Sequence, residues 1–537
     1  MSDKYDFIVV GGGSAGAVIA SRLSEDPNCR VALIEAGERP PEVSALPIAP
    51  AAMQLNPATD WMYTADPGKA GLGLNGRRVP VPRGKMLGGS SGINYMMYVR
   101  GNPGDFDAWA EGGATGWSYA EVLPYFKRLE HAAGGDPAFH GFGGPLWHSP
   151  IGRKHELIEA VIAAGAELDI PRNDDFDGAT QEGVGYYHLS TRHGWRCSAA
   201  DAYLAPARHR RNLKVTTEAQ ATRVLFEGRR AVGVAYRGRA GDVTVRAERE
   251  VILSAGALQT PQLLQLSGVG PRPLLESFGI PVVHEVPGVG ENLQDHLQAR
   301  VIFECTKPIT TNDALKSWWG TLKMGLDYVF TRGGPMAVGI NQGGIFARVD
   351  PGATRPDVQF HVATLSSDMA GSPTHTFPGF TFSVCQLRPE SRGSVRIKSA
   401  DPLEAPAMQP NYLSTARDRQ TLIAGIRLAR RLAATRALAP YVKREYRPGA
   451  AESTDDELLE FVRSTGGTIF HPSGTCKMGE PARDPMAVVD SGLRVHGLEN
   501  LRVVDCSVMP TLTSGNTNVP VVMIAEKAAD MIVADAG

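Results

Sequence analysis

The sequence has no long apolar run, no strong net charge and no paired cysteines, and each absence excludes a class of protein. No stretch approaches the eighteen or more apolar residues of a membrane span. Met1–Lys4 leads into the first strand without an apolar signal segment. The formal net charge of -2 leaves no basic surface for nucleic acid. We therefore expect a cytoplasmic protein that binds small molecules and neither binds nucleic acid nor spans a membrane.

The cysteines also argue against disulfides and metal clusters. They lie far apart and form no Cys-X-X-Cys pair: Cys29, Cys197, Cys305, Cys385, Cys476 and Cys506. This spacing indicates reduced structural thiols, and we expect no metal site. The sequence also lacks internal repeats and low-complexity segments, and it does not predict an oligomeric state.

Length and composition place the chain among ordinary globular proteins with more than one domain. It has 537 residues, of which 42% are hydrophobic and 21% charged. That length exceeds what one simple core accommodates. The 60 glycines and 38 prolines predict many turns and long loops.

The first 35 residues have the pattern of a dinucleotide-binding βαβ unit. An apolar strand from Tyr5 to Val10 runs into the glycine motif Gly11–Gly16, and a second apolar run, Val31–Ile34, ends at Glu35. In this motif Gly11 permits the tight turn, Gly13 lets the backbone approach a pyrophosphate, and Gly16 lets the helix lie close to the strand. Glu35 follows Gly16 by nineteen residues, the position of an acid that holds a ribose diol. We predict a bound dinucleotide.

Later segments indicate a second glycine-rich loop and a second domain. Arg83–Asn94 is again rich in glycine, which suits backbone N–H groups turned toward a phosphate or a ring edge. From about residue 212 the sequence alternates as strands do, including Val243–Arg246 and a separate run from Val251, and this predicts a meander that returns to the parallel sheet. Between residues 306 and 465 the sequence predicts one helix, Arg417–Ala434, and the strands Val358–Ala363, Phe380–Leu387 and Ser394–Ile397.

The C-terminal part returns to α/β character. Leu501–Asp505 reads as a buried parallel strand. Asn518-Val519-Pro520 predicts the start of a last helix through Ala534, with Asn518 as its N-cap.

Four segments, in this order, resemble the glucose-methanol-choline (GMC) oxidoreductase family, in particular its bacterial choline- and alcohol-dehydrogenase-like members. They are Gly11–Gly16 with Glu35, Arg83–Gly101, Ser254–Gly270 and His471–Asn518. The resemblance implies a two-domain α/β fold, with an FAD-binding Rossmann-like domain of the p-hydroxybenzoate-hydroxylase type and a substrate domain built on an antiparallel sheet. It assigns residues 1–155, 196–305 and 466–537 to the FAD domain, and 156–195 and 306–465 to the substrate domain.

The resemblance also implies the cofactor and the residues around it. The dinucleotide is expected to be FAD rather than NAD. It is expected to be noncovalent, because Ile93 occupies the position at which some members carry a histidine bonded to the flavin. Glu35 is expected at the adenosine ribose, the backbone of Val224 at the adenine, Asn94–Met97 along the isoalloxazine and Asp505 near the pyrophosphate or ribityl chain. The full expected set is Gly11, Gly13, Ser14, Ala15, Gly16, Glu35, Ala36, Arg83, Gly88, Gly89, Ser91, Asn94, Tyr95, Met96, Met97, Val224, Ala255, Asp505 and Asn518.

Two residues match the catalytic pair of the family. His471 corresponds to the catalytic histidine, and an imidazole is a suitable base near neutral pH for removing an alcohol proton. Asn516 matches the second polar residue, whose amide can hydrogen-bond the substrate oxygen without acting as a base. The last helix, which begins near Asn516 and Asn518, is hypothesised to direct its positive end toward the pyrimidine side of the flavin.

The substrate is the least constrained part of the prediction. His361 aligns either with a second pocket histidine of choline-oxidising members or with a packed strand residue. Gln342 corresponds to a position where those members carry glutamate, and a neutral amide would not pair with a quaternary ammonium. We therefore expect a neutral primary alcohol, oxidised to the aldehyde, with electrons passed to a quinone or other carrier, or to oxygen.

Several other functions stay open at this point. A choline dehydrogenase and a hydroxynitrile lyase-like enzyme would share these motifs. A nicotinamide dehydrogenase would share only the βαβ unit, and a noncatalytic flavoprotein would not depend on His471.

Overall fold

Two large β-sheets organise the protein, for which the computed structural model describes residues 4–66, 71–369 and 372–536. The expectation that no signal segment precedes the first strand rests on residues 1–3, which lie outside the described residues. In the described ranges, the helices fall short of the length and apolarity that a membrane crossing requires.

The first sheet is the predicted nucleotide-binding sheet. Its parallel part runs in the order Leu213–Thr216, Val31–Ile34, Lys4–Val10, the end of Gly241–Leu253, and Leu501–Val503. The apolar runs at its centre are buried on both faces, as expected for parallel strands covered by helices. Gln220–Glu227 and Arg230–Gly238 extend the sheet as an antiparallel meander.

One long strand replaces two predicted ones in this sheet. Gly241–Leu253 pairs antiparallel with the meander at its start and parallel with Lys4–Val10 at its end. The predicted strands Val243–Arg246 and the run from Val251 are therefore one strand. The residues between them alternate weakly in the sequence, yet they continue the hydrogen-bonded ladder.

The turn after the first strand depends on two glycines. Gly11 has φ +95°, which a side chain would strain, and a Cβ on Gly16 would lie 1.8 Å from the carbonyl oxygen of Gly11. The absence of side chains thus lets the helix Ser14–Leu23 start directly against the strand.

The second sheet is antiparallel and carries the substrate side of the molecule. Its strands are Gly183–Tyr186, Asn341–Ala347, Val358–Ala363, Gly379–Gln386, Leu297–Cys305 and Val442–Arg447, with Gly467–Thr468 paired to the start of Leu297–Cys305. Helix Ala416–Ala433 packs on one face of this sheet. The sequence predicted the strands around residues 358, 380 and 394 and this helix within one residue of their starts.

The remaining elements connect and cover these sheets. A four-stranded sheet has the order Met97–Tyr98, His188–Leu189, Leu146–Pro150 and Glu130–Ala132. Two-stranded ladders are Tyr63–Ala65 with Val79–Val81, Thr191–Arg192 with Trp195–Arg196, Val269–Gly270 with His284–Glu285, and Ser394–Arg396 with Ala407–Gln409. Longer helices include Pro103–Glu111, Tyr119–Leu129, Glu156–Glu167, Gly256–Leu266, Trp318–Thr331, Asp455–Thr465 and Asn518–Ala536. Short helical turns are Glu42–Ala45, Pro50–Met53, Gly71–Leu74, Gly89–Gly92, Ala200–Leu204, Ala205–Ala207, Arg272–Ser277, Thr311–Leu315, Pro335–Ala337 and Cys506–Val508.

Strand pairing places one segment differently from the predicted domain ranges. Leu297–Cys305 is a strand of the second sheet, whereas the prediction assigned residues up to 305 to the FAD domain. Gly467–Thr468 joins the same sheet. The deviation arises because an apolar strand does not reveal from its own sequence which of two sheets it will join.

We expect Gly16→Ala to destabilise the fold. The added Cβ must displace the helix Ser14–Leu23 from Gly11, because the contacted atom is a backbone oxygen, and the cost should be about 1–3 kcal/mol. Urea unfolding of the variant and of Gly152→Ala, whose Cβ would meet no atom within 4 Å, measures the difference. Equal unfolding free energies for the two variants would contradict this packing.

Candidate active site

A long cavity opens at the carboxyl ends of the parallel strands, where ligands of such sheets bind. It begins beside Val10, Ile34 and Ser254 and ends beside His471 and Asn516. Most of the expected cofactor residues line it: Gly11, Gly13, Ser14, Ala15, Glu35, Ala36, Arg83, Gly89, Asn94, Tyr95, Met96, Met97, Ala255, Asp505 and Asn518. Other residues, which no sequence motif indicated, also line it: Gln54, Trp61, Tyr63 and Ala219–Ala221.

Glu35 fastens the glycine loop. One carboxylate oxygen accepts the N–H of Gly12 at 2.7 Å and the other accepts the N–H of Gly37 at 2.7 Å. Burial raises the pKa of Glu35, and the two backbone hydrogen bonds oppose that shift. The acid therefore fixes the ends of the first and second strands next to each other.

The helices Ser14–Leu23 and Asn518–Ala536 both begin at the cavity. The hydroxyl of Ser14 donates to Asn518 Oδ1 at 2.8 Å, and both residues line the cavity wall. Asn518 is the first helical residue and not the N-cap, because the N–H of Val521 donates to the carbonyl of Thr517. The predicted cap was thus placed one residue late.

Asp505 follows the strand Leu501–Val503 and bonds to the starts of two helical segments, Gly256–Leu266 and Cys506–Val508. Its Oδ2 accepts from the N–H of Gly256 and the hydroxyl of Thr260, and its Oδ1 accepts from the N–H of Ser507. Burial raises its pKa, against these hydrogen bonds. Asp505 therefore shapes the cavity floor at the start of Gly256–Leu266.

Four expected cofactor residues do not line the cavity: Gly16, Gly88, Ser91 and Val224. Gly16 packs on Gly11, and Gly88 turns the chain with φ +89°. Ser91 donates its hydroxyl to the carbonyl of Gly88 and accepts the N–H of Ala199. The N–H of Val224 donates to the hydroxyl of Ser267, and Ala219–Ala221 of the same segment line the cavity.

His471 is held by two consecutive residues that the sequence analysis missed, Asp295 and His296. Asp295 accepts the N–H of His471 at 2.8 Å and also the hydroxyls of Thr468 and Tyr412. The ring of His296 lies 2.9 Å from the ring of His471, Nδ1 to Nδ1. The antiparallel bridge between Gln294 and Ser473 brings the two segments together.

The hydrogen bonds assign the protons of both imidazoles. Nε2 of His296 lies 3.0 Å from the carbonyl oxygen of Leu387 and must donate to it. Nδ1 of neutral His296 is then an acceptor, so Nδ1 of His471 carries a proton and donates. Nε2 of His471, which lines the cavity, is left unprotonated and can accept a hydrogen bond.

The hydrogen bonds of Asn516 indicate the same tautomer of His471, with Nε2 unprotonated. Its Oδ1 accepts from Nε2 of Gln359 at 3.2 Å, which leaves its Nδ2 facing Nε2 of His471 at 3.3 Å. Gln359 is in turn fixed by Tyr187, whose hydroxyl lies 2.9 Å away and donates to the carbonyl of Phe360. An alcohol oxygen placed here could accept from Asn516 and donate to His471.

Burial keeps the imidazoles neutral. It lowers the pKa of His471 well below the ordinary 6.5, and the nearby His296, His361 and Arg83 lower it further. Burial also lowers the pKa of His296 and of His361 to about 4. Nε2 of His471 is therefore available as a base throughout the neutral range.

The two expected substrate residues lie near this pair but outside the cavity wall. His361 is buried on the strand Val358–Ala363, and its Nε2 has no hydrogen-bond partner. Gln342 is buried as well, and its amide donates to the hydroxyl of Thr364 at 3.2 Å. An unpartnered buried nitrogen fits a pocket residue better than a packed one, whereas Gln342 is already bonded within the protein.

A second cluster of titratable groups lies away from this site, and an arginine side chain is already bonded within it. Glu130, His140 and His148 bring potential metal-ligand atoms within 4.8 Å of one another. However, the guanidinium of Arg100 bonds to Glu130 and lies 3.3 Å from Nδ1 of His140. Burial opposes ionisation of Glu130, but hydrogen bonds from the two histidines and the charge of Arg100 lower its pKa. The cluster thus has the composition of a buried ionic network.

Two sequence models of the family described as GMC oxidoreductase match the chain, the N-terminal one over residues 5–298 and the C-terminal one over residues 389–525. The chain belongs to the GMC oxidoreductase family. This GMC oxidoreductase is similar to known proteins along nearly its whole length.

Three similar proteins illustrate the range of named activities. An "Alcohol dehydrogenase [acceptor]" of Pseudomonas putida is 42% identical over 533 residues, which cover 98% of this chain and 96% of the relative. An "Oxygen-dependent choline dehydrogenase" of Pseudomonas putida is 44% identical over 542 residues, covering 99% and 94%. The crystal structure of pyridoxine 4-oxidase from "Mesorbium loti" has 34% identity and a TM-score of 0.88, with 98% of each chain covered.

The cavity fits the FAD that GMC oxidoreductases bind. A Cβ on Gly89 would lie 2.8 Å from Cα of Gly13, so the two glycine segments form a narrow wall along which a dinucleotide can lie. Ile93 lines the cavity with an aliphatic side chain that cannot bond to a flavin, and FAD is held noncovalently. Asn94 Oδ1 accepts from Arg196 and from the N–H of Met96, which fixes the backbone in this part of the cavity wall.

We expect His296→Leu to slow flavin reduction at least about tenfold. The variant leaves Nδ1–H of His471 without its acceptor and removes the constraint on its tautomer. His296→Gln, whose amide oxygen can accept that proton, should recover part of the rate. Anaerobic stopped-flow absorbance at several pH values measures the effect, with exposed His209→Leu as the control. A rate in His296→Leu equal to that of the control would show that the histidine contact is only packing.

We expect the rate of flavin reduction to stay constant as the pH falls from about 8 to about 6. The neutral form of His471 is the reactive one, and a lowered pKa keeps it neutral to lower pH. The same stopped-flow experiment with substrate well below saturation gives the pKa in the free enzyme. An acid limb with its midpoint at or above the ordinary pKa of histidine, about 6.5, would contradict the buried neutral site.

Proposed function

We propose that this GMC oxidoreductase oxidises a primary alcohol to the corresponding aldehyde, with His471 as the base. The observation that carries the proposal is the unprotonated Nε2 of His471, which faces the cavity beside the amide of Asn516. FAD, when bound, supplies the acceptor for the hydride at its N5. The alcohol gives its hydroxyl proton to His471, while Asn516 donates to its oxygen and holds the carbinol carbon in position.

The charges around the cavity argue against a quaternary ammonium substrate. The described carboxylates of the lining are Glu35 and Asp505, and both accept backbone N–H groups at the dinucleotide end. Asp295, which accepts the N–H of His471, accepts three further hydrogen bonds, from the hydroxyls of Thr468 and Tyr412 and from the N–H of His296. We therefore propose a substrate without positive charge, although choline dehydrogenases are among the similar proteins.

The second half-reaction passes the electrons to a carrier such as a quinone, or to oxygen. Among the similar proteins, one name includes an acceptor without identifying it, one includes the word oxygen-dependent and one includes the word oxidase. We propose a carrier as the acceptor and the cytoplasm as the location. Comparing the reoxidation of reduced enzyme by oxygen and by a soluble quinone tests the acceptor.

We expect primary alcohols to bleach the flavin absorbance of the purified holoenzyme under anaerobic conditions. His471→Ala should lower that rate about a hundredfold or more, because the base is lost. His209→Ala, an exposed substitution, should leave it unchanged. Flavin bands that persist with every alcohol, together with cleavage of a cyanohydrin, would replace the proposal with a lyase that uses the same base.

A further inference from the structure

The second sheet has one apolar face and one polar face. Ala299 and Val301 pair with Val384 and Phe382 on the side of helix Ala416–Ala433, and all four are fully buried. The residues that alternate with them point to the other side, toward the cavity and the loop of Tyr95.

Pairing across three strands sets these polar residues in rows on that other face. Gln298, Cys385 and Gln359 form one row, and Arg300, Ser383 and His361 form the next. Gln359 contacts Asn516 directly. The Arg300 row is therefore the neighbour of the row that touches the catalytic pair.

Arg300 carries a positive charge that no described residue balances. Among the described residues its guanidinium has neither a hydrogen bond nor an ion pair, whereas the buried arginines Arg100 and Arg502 bond to carboxylates. Arg300 is half-buried and lies outside the cavity lining, but the phenol of Tyr95, which interacts with it electrostatically, belongs to that lining. Burial lowers the pKa of Arg300, and an anionic ligand would balance a charge that is partly removed from water.

His296 directly precedes the strand Leu297–Cys305, which carries Arg300. The two residues are four positions apart, and along an extended chain this corresponds to roughly 13 Å between their Cα atoms. His296 marks the reacting end of the pocket through its contact with His471. An extended molecule lying along this face can place its hydroxyl at His471 and its other end at the guanidinium.

We propose that Arg300 binds an anionic group at the far end of the substrate, so that the protein oxidises primary alcohols that also carry a carboxylate. The planar guanidinium can accept a carboxylate on two parallel N–H groups. This inference rests on the proposed alcohol oxidation and specifies its substrate class. It replaces the neutral alcohol expected from Gln342 and gives a physical reason for rejecting choline, whose cation Arg300 repels.

The first test measures binding without turnover. Alkanoates from butanoate to decanoate lack the hydroxyl, and the amides of the same acids lack the charge. Calorimetry with the holoenzyme should show that the best alkanoate binds about tenfold or more tightly than its amide. Arg300→Gln should abolish this difference and leave the amide unaffected, and Arg300→Lys should retain part of it. Exposed Arg223→Gln controls for the loss of one charge.

The second test measures turnover of the corresponding ω-hydroxyalkanoates and 1-alkanols. The wild type should prefer the hydroxy acid at the best chain length by about tenfold or more in kcat/KM, and Arg300→Gln should lose that preference while still oxidising the alkanol. Arg300→Glu should gain activity toward choline. Alkanols equal to hydroxy acids at every length, or a preference that Arg300→Gln retains, would overturn the inference. Flavin that no alcohol reduces would overturn the proposed oxidation instead, and the binding test would still decide whether Arg300 holds a carboxylate.

Discussion

A single hydrogen bond between two buried imidazoles determines whether this site can act as a base. Nδ1 of His296 accepts from Nδ1 of His471 only because its other nitrogen donates to the carbonyl of Leu387. Burial makes both rings neutral, and neutrality is what gives the bond a direction. If His296 were protonated, both of its nitrogens would be donors and His471 would have to turn its lone pair away from the cavity.

Because side chains alternate along its strands, the second sheet has one apolar face and one polar face. The face toward helix Ala416–Ala433 is apolar and packs against that helix, while the other face carries amides, a hydroxyl, an imidazole and a guanidinium. Burying so many polar groups would be unfavourable in a core. Hydrogen bonds such as Gln359 to Asn516 satisfy part of this face, whereas Nε2 of His361 and the guanidinium of Arg300 have no hydrogen-bond partner among the described residues.

Features that depend on short sequence motifs could be predicted, whereas features that depend on how distant strands pair could not. The glycine motif with Glu35, the helix near residue 417 and the candidate residue His471 follow from short patterns. In the structure the helix spans Ala416–Ala433, and Glu35 and His471 line one cavity. Asp295 and His296 became site residues only because their segment pairs with the one containing Ser473. The same limit explains why Leu297–Cys305 joins the second sheet although its residues fall in the predicted FAD range. It also explains why Arg300 is an ordinary basic residue until the strand register shows which face it occupies.

The contact between Ser14 and Asn518 joins residues 504 positions apart at the mouth of the cofactor cavity. During synthesis at about 5–20 residues per second, the glycine loop therefore waits roughly 25–100 s for its partner helix. Until then the first sheet also lacks Leu501–Val503, so the nascent chain has an incomplete edge and no closed cavity. The complete cavity wall therefore exists only after residues 501–518 have been made and have folded onto the first sheet.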